Sequence, residues 1–388
     1  MMLKSKIDYN MLFLLFLFMV ISCFYIYEAQ ELQQYSTNFM LRQLIFFVAL
    51  FILVIAMSYI DIDYIKQSHW FLYGFGIIIL IGLLVVPDSL VRGEDNGAVR
   101  WYNLPVIGSF QPAELTKIFL IVTFANIISK HKEGSTKWKS DVWLIIKVAA
   151  LCAPVALLLI EQPDMGTIMQ IAAIVLSVLL VSKVSLKWIL SMILIPVTAI
   201  LSFVMVYFTR MDLLEKYFFV HLEDYQVRRF HGWLNPTEYV DEAFQVNLAM
   251  RAVGSGRLNG IGAENNNYYI PEAHTDFIFA IIAHTHGFIV ACILISIYFI
   301  LLYHIVMIGF QSTNQFDLCI CAGVAGLFAF QIFQNIGMNI GLLPVTGFSL
   351  PLVSYGGSSL LTAGLSLGLV LCVKANRREY MFEKSEEM

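Results

Sequence analysis

In Tyr269-Ile270-Pro271-Glu272-Ala273-His274-Thr275-Asp276-Phe277-Ile278-Phe279-Ala280 a long polar loop ends and a strongly apolar helix begins. The boundary places a carboxylate, an imidazole and a hydroxyl together where a membrane surface would lie. It decides the fold because boundaries of this kind recur along the chain. Of 388 residues, 59% are hydrophobic and 13% charged, against roughly 45–50% and about 25% in average soluble domains. This composition describes an all-α polytopic membrane protein, a single integral membrane domain over 1–388 with no soluble domain of independent size.

Apolar stretches long enough to cross about 30 Å of hydrocarbon run approximately over 11–27, 44–60, 70–86, 114–129, 142–160, 166–181, 187–208, 277–303, 317–341 and 355–373. The first should remain as a helix, because the bulky, polar Tyr27-Glu28-Ala29-Gln30-Glu31 after it offers no small-residue cleavage site. Ten spans put both termini on one side. With an inside N-terminus, 13 Lys/Arg fall on inner segments (Lys4, Lys6, Lys66, Lys130 and Lys132 among them) and 9 on outer ones, with Lys117 and Lys147 inside helices. Six of the outer nine lie in one long loop, a class of segment that obeys the positive-inside rule weakly, so both termini are expected to be cytoplasmic. The six cysteines fall in apolar stretches without CxxC spacing and suggest packing residues.

Three outer segments, 87–113, 209–276 and 342–354, are too long and polar for simple turns. The middle one holds six basic and ten acidic residues, Glu264 among them, a net of −4. It is too rich in aromatics for plain disorder and is expected to form short surface helices, with Gly254, Gly256, Gly260 and Gly262 marking turns.

Gln111-Pro112-Ala113-Glu114-Leu115-Thr116-Lys117 opens one apolar stretch, and Glu114 and Lys117, three apart, share a face. Charges inside such a stretch face the bundle interior and pair. A structural ion pair and a place in a headgroup cavity both fit. Gln162-Pro163-Asp164-Met165-Gly166-Thr167 repeats the design, where Asp164 fits either helix capping and packing or a substrate-binding place beside the first motif. Arg100-Trp101 fits an ordinary interfacial tryptophan, or a stacking face for a sugar beside a guanidinium for phosphate. The run from Leu342 to Ser359 is irregular backbone, tolerated near lipid only when buried in protein or lining a wet cavity. Its Ser354, Gly356, Gly357 and Ser358 fit either close packing or an anion site built on free N–H groups. Gly337/Gly341 and Gly364/Gly368 look like small-residue helix contacts. Asp276 reads as a helix N-terminal carboxylate or, crowded by Glu272, His274 and Thr275 with Phe277-Ile278-Phe279 following, as a general base.

Together and in this order, these motifs resemble the SEDS family of cell-wall proteins (RodA, FtsW and SpoVE). The resemblance spans nearly the whole chain and includes Gly254-Ser255-Gly256 and the Pro344-to-Ser359 run. It implies ten helices with a long outer loop between the seventh and eighth. It implies peptidoglycan glycosyltransferase activity on lipid II in the bacterial cytoplasmic membrane, with Asp276 as catalytic carboxylate and Trp101 needed for activity. The expected partners are a class B penicillin-binding protein, other elongation-complex membrane proteins and membrane lipid, with no nucleic acid. No cofactor is called for with certainty, and a divalent cation is left open. Arg100, Arg210, Lys117 and the Gly356-Gly357 N–H groups are candidates to meet the charge of the departing pyrophosphate.

The chain departs from the family pattern at Ala283-His284-Thr285-His286-Gly287, where a glutamate pair is usual, and at Leu248-Ala249, Arg251 and Phe348-Ser349. The imidazoles lie about 12 Å along the helix from Asp276. They change helix packing or metal tuning, with packing preferred. Short tails and Gly254-Ser255-Gly256-Arg257-Leu258 favour an elongation-type role in cell shape over a division- or sporulation-type one. A lipid II flippase using the buried charges Glu114, Lys117 and Lys147, and a non-catalytic scaffold of the wall-synthesis complex, are the competing functions.

Overall fold

The computed structural model describes residues 7–31, 38–87, 90–93, 99–104, 108–131, 137–262 and 270–386. Tyr269, Glu264, Lys4, Lys6 and Lys132, used in the sequence reading, lie outside the described residues. In chain order the helices are α1 (Tyr9–Glu31), α2 (Phe39–Met57), the short α3 (Ile62–Gln67), α4 (His69–Val85), α5 (Pro112–Ser129), α6 (Lys137–Glu161), α7 (Met165–Leu180) and α8 (Leu186–Thr209). The long loop after α8 holds α9 (Met211–Tyr217), α10 (Asp224–Leu234) and α11 (Phe244–Ser255), and α12 (Ile278–Phe310), α13 (Gln315–Asn339) and α14 (Gly357–Glu386) follow.

Among the described residues, eight helices are long and apolar enough to cross a membrane. The apolar α4 and α7, of 17 and 16 residues, are shorter, about 25 Å. These ten helices fall on the ten apolar stretches. The long loop between α8 and α12 forms short helices, as its aromatic content suggested. The all-α reading has one exception in the segment between α4 and α5: β1 (Val91–Gly93), β2 (Val99–Leu104) and β3 (Gly108–Phe110) make a three-stranded antiparallel sheet. Val99-Arg100-Trp101-Tyr102 pairs β-branched and aromatic residues with a polar one, the composition a half-buried strand accepts.

The bundle is centred on α5 and α14, whose spans are 72% and 78% buried, whereas α8 is only 6% buried and presents its apolar side chains outward. The C-terminal end of α8 instead packs on the loop that follows it, with Tyr207, Leu214 and Phe219 forming a second small core. Asp8, ahead of α1, pairs with His304 of α12 at 2.6 Å and with Lys374 of α14 at 2.5 Å. The start of the first helix and the far part of the last therefore share one end of the bundle, as ten spans require.

Gly364 and Gly368 bring α14 against α2, where added Cβ atoms would meet Leu53 at 3.2 Å and Met57 at 2.8 Å. Gly341 is a correction to the helix-contact reading: it lies beyond α13 in a turn at φ +74°, against Met250. The six cysteines are free thiols, three of them buried.

The helix α12 is broken at Gly287 (φ 78°, ψ −173°). The break frees backbone groups that lipid could not satisfy. The turn after α11 supplies the partners: Ile261 N–H donates to His284 O (3.1 Å), Gly262 N–H to Thr285 O (3.1 Å), Phe288 N–H to Arg257 O (2.9 Å) and Ile289 N–H to Leu258 O (3.3 Å). The approach is close enough that a Cβ on Gly256 would stand 1.9 Å from Ala283 O. This explains Gly256 as the close-approach point of a backbone plug that the following 257–262 turn makes for the broken helix.

Candidate active site

Asp276 sits in the turn that leads into α12 and is half-buried. Its backbone is held from two directions. Tyr355 N–H donates to His274 O at 2.9 Å and Ser354 Oγ to Thr275 O at 2.5 Å. From α13, Asn335 Nδ2 and Asn339 Nδ2 donate to Asp276 O at 2.8 and 3.1 Å, and Asn339 Oδ1 accepts Ala280 N–H at 3.1 Å. The side chain faces the irregular run between α13 and α14: Asp276 Oδ2 lies 3.6 Å from where a Cβ on Gly347 would stand. Gly347 is at φ +76°, a conformation open to glycine at little cost.

His274 is buried and stacks on Phe39, centroids 4.4 Å apart at 20°. Burial lowers its pKa against a smaller upward pull from Glu272. Thr275 Oγ1 donates to Glu272 Oε2 at 2.9 Å, a contact that shapes the turn.

The irregular run is itself fastened by residues the sequence reading passed over. Ser22 of α1 donates to Val353 O (2.7 Å), while fully buried Gln43 of α2 donates to Ser354 O (3.1 Å) and accepts Gly356 N–H (3.4 Å). Asn335 Nδ2 also holds Phe348 O at 2.6 Å. Buried polar side chains within apolar helices were the available signal for Gln43, Asn335 and Asn339.

These bonds correct several expected roles. Ser354 Oγ is consumed, donating to Thr275 O and accepting Leu350 N–H at 2.7 Å, so it is a fastener of the loop. Ser358 likewise donates to Ser109 O and accepts Gln111 N–H, both at 3.2 Å. The Gly356 N–H is directed at Gln43, which removes it from a free anion site, and a Cβ on Gly357 would meet the Phe46 ring at 3.1 Å, which makes that glycine a packing position. Asp164 caps α7 through Thr167 N–H (3.0 Å) and Oγ1 (2.8 Å), and receives Gln111 Nε2 at 3.2 Å. Arg100 donates to the carbonyls of Gln162 (3.1 Å) and Pro163 (2.8 Å). Together they tie the Gln-Pro motifs, the sheet and α14 into one rim.

Strand alternation sends Arg100 and Tyr102 to one face of β2, Tyr102 donating to Ile79 O at 3.0 Å, and half-buried Trp101 to the other. The residue stands opposite Arg92 on β1.

Deeper in the bundle, fully buried Lys117 pairs with Glu114 at 2.6 Å and with Gln170 of α7. Glu114 Oε2 and Gln170 Nε2, both buried, have no hydrogen-bond partner among the described residues. Lys147 is a correction: it is exposed on α6 over the Trp143 ring, 5.3 Å from its centroid, and forms no part of this buried cluster. His284 is buried against Ser255 Oγ (2.7 Å) and Ala252 O (3.1 Å), which agrees with the packing role expected of it.

Comparison with known proteins agrees with this architecture. The profile of the FtsW/RodA/SpoVE family, described as "Cell cycle protein", matches residues 5–379. The chain is 32% identical over 360 residues to the "Probable peptidoglycan glycosyltransferase FtsW" of Nitrosomonas europaea, covering 90% of this chain and 86% of that protein. It is 31% identical over 350 residues to the protein of the same name from Thiomicrospira cyclica, covering 88% and 82%. Among solved structures it is similar to a chain from "Structural coordination of polymerization and crosslinking by a peptidoglycan synthase complex", with TM-score 0.77, 26% identity and coverage of 95% and 98%. The fold is also that of the Thermus thermophilus rod shape determining protein RodA, with TM-score 0.67, 24% identity and coverage of 95% and 97%. A match over nearly the whole length, with both Gln-Pro motifs and the Asp276 turn in place, means that the chain belongs to the FtsW/RodA/SpoVE family.

Proposed function

We propose that this protein polymerises lipid II into glycan strands at the outer face of the bacterial cytoplasmic membrane, with Asp276 as the general base. An acceptor sugar hydroxyl attacks the anomeric carbon of the donor, the bond to undecaprenyl pyrophosphate breaks, and the carboxylate takes the hydroxyl proton. The observation that carries this reading is the Asp276 turn: a half-buried carboxylate whose backbone is bonded at three consecutive carbonyls, 274 to 276. Fixing a reacting group in this way is where catalytic positioning is gained. Trp101 offers a sugar-stacking face. Lys117, Arg100 and the Gly356 N–H are engaged within the protein, which leaves exposed Arg210 at the outer end of α8 as the preferred cation for the departing pyrophosphate.

With this orientation both termini are cytoplasmic. The names of the relatives above support a division-type role over the elongation-type role expected from the short tails, and the synthase-complex likeness supports a class B penicillin-binding protein as partner. A second reading, lipid II flipping, draws on the buried Glu114–Lys117–Gln170 cluster. Polymerisation of purified lipid II by the protein with its transpeptidase partner, wild type beside Asp276→Ala, tests the proposal. Polymer from wild type alone supports it. Polymer from both removes Asp276 as base, and none from either, with the complex intact, moves the assignment to transport or scaffolding.

A further inference from the structure

From the bonds around the Asp276 turn we infer that Asn335 and Asn339 are positioning residues for catalysis, a clamp on α13 that sets the direction of the Asp276 carboxylate. The inference rests on the reading of Asp276 as the base. Asn335 is fully buried, and its amide group is divided between two carbonyls, Asp276 O at 2.8 Å and Phe348 O at 2.6 Å. It therefore ties the catalytic turn directly to the run that flanks the carboxylate at Gly347. Asn339, also fully buried, uses both ends of its amide: Nδ2 donates to Asp276 O at 3.1 Å and to Asn335 O at 2.9 Å, while Oδ1 accepts Ala280 N–H at 3.1 Å.

Two donors thus converge on one carbonyl, and the partner four residues on is an N–H in the first turn of α12, which Asn339 Oδ1 shares with the N-cap carbonyl Phe277 O at 3.1 Å. The pair reads the backbone on both sides of Phe277 and fixes the Cα–Cβ direction of Asp276. Four residues apart on one helix, the two amides share a face. Packing alone would be satisfied by leucine at either position. What leucine cannot supply is the donors, and a displacement of about 1 Å in a reacting group costs on the order of a hundredfold in rate.

The test is steady-state polymerisation of lipid II by the full chain with its transpeptidase partner, comparing Asn335→Leu, Asn339→Leu and Asp276→Ala, with thermal melting of each purified complex. We expect kcat to fall about tenfold to a hundredfold in the leucine variants, with KM for lipid II changed less than about twofold and the folded fraction preserved. Wild-type kcat in a folded leucine variant, or a rise in KM with kcat unchanged, overturns the positioning role. So does failure of both variants to fold, which would make the pair a folding determinant only. Activity retained by Asp276→Ala would instead overturn the assignment of the base, an outcome distinct from the first.

Discussion

Replacing Gly287 by alanine should unplug the broken helix. The substitution forces a Cβ onto a residue at φ 78°, ψ −173°, a region essentially reserved for glycine. The new atom would stand 2.3 Å from Gly260 N and 2.4 Å from Leu258 O. Both neighbours are backbone, so relief requires the 257–262 turn to withdraw, which breaks the four hydrogen bonds it makes with His284, Thr285, Phe288 and Ile289. Backbone strain of roughly 1–3 kcal/mol and four bonds at about 1 kcal/mol each give a loss of roughly 5–7 kcal/mol. Gly254→Ala is the matched control, since nothing lies within 4 Å of its added Cβ, and a change within about 0.5 kcal/mol is expected there. The assay is thermal unfolding in detergent combined with hydrogen exchange at the amides of Ile261, Gly262, Phe288 and Ile289. Gly287→Ala should melt earlier and lose protection at those four amides together. A variant with unchanged melting and intact protection would refute the plug.

The other expectations follow from burial and pairing. Lys117→Met should destabilise the fold by about 3–5 kcal/mol, because it strands the Glu114 carboxylate, whose Oε2 already has no partner among the described residues. Adding Glu114→Gln should recover much of that loss, and equal melting of the single and double variants would count against a coupled pair. His274, with its pKa lowered by burial, takes up a proton less readily in the folded state than in the unfolded one. Stability should therefore fall as pH drops below the ordinary histidine value of about 6.5. Melting curves between pH 7.5 and 5.5 should show the fall, and His274→Phe, which keeps a ring against Phe39, should flatten it. Trp101→Ala should raise KM for lipid II with little change in melting, since the side chain leaves β2 on the face opposite Arg100 and Tyr102; a stability loss without a change in KM would mark it as structural.

The ten apolar helices, the surface helices of the long loop and the paired charges of α5 were legible because each follows from a local rule: hydropathy, turn residues, spacing on a helix face. The sheet at Arg100-Trp101 was not. Its strands are three to six residues long, too short for alternation to stand out from a loop. Nor was the break in α12, because the apolar stretch that opens at Ile278 resumes at Phe288 after His284-Thr285-His286-Gly287, and a single glycine inside such a stretch reads as a packing position. What marks it is the turn 256–262 with its three glycines, whose partners lie some twenty to thirty residues on in sequence.

The candidate site was legible as chemistry and only partly as geometry. Asp276 faces the irregular run and Trp101 leaves β2 on the face opposite Arg100, yet Arg100, Ser354 and Ser358 spend polar atoms on the protein's own backbone and Asp164 on its own helix start and Gln111. The reason is physical. A run of irregular chain such as 344–356, close to a membrane, exposes carbonyls and N–H groups that must find partners, so polar residues near the site are drawn into satisfying it. Motif residues close to a membrane active site therefore divide into a few that face substrate and many that hold the loops in place. The division turns on where each hydrogen bond goes, and that depends on contacts such as Gln43 to Gly356, separated by more than three hundred residues. No local pattern encodes such a contact. By the same argument, the deep Glu114–Lys117–Gln170 cluster, which keeps two buried polar atoms unmatched among the described residues, is the part of the bundle least explained by loop fastening. It is where a transport reading and a polymerase reading can be separated, because flipping needs those groups to meet a headgroup and polymerisation at Asp276 does not.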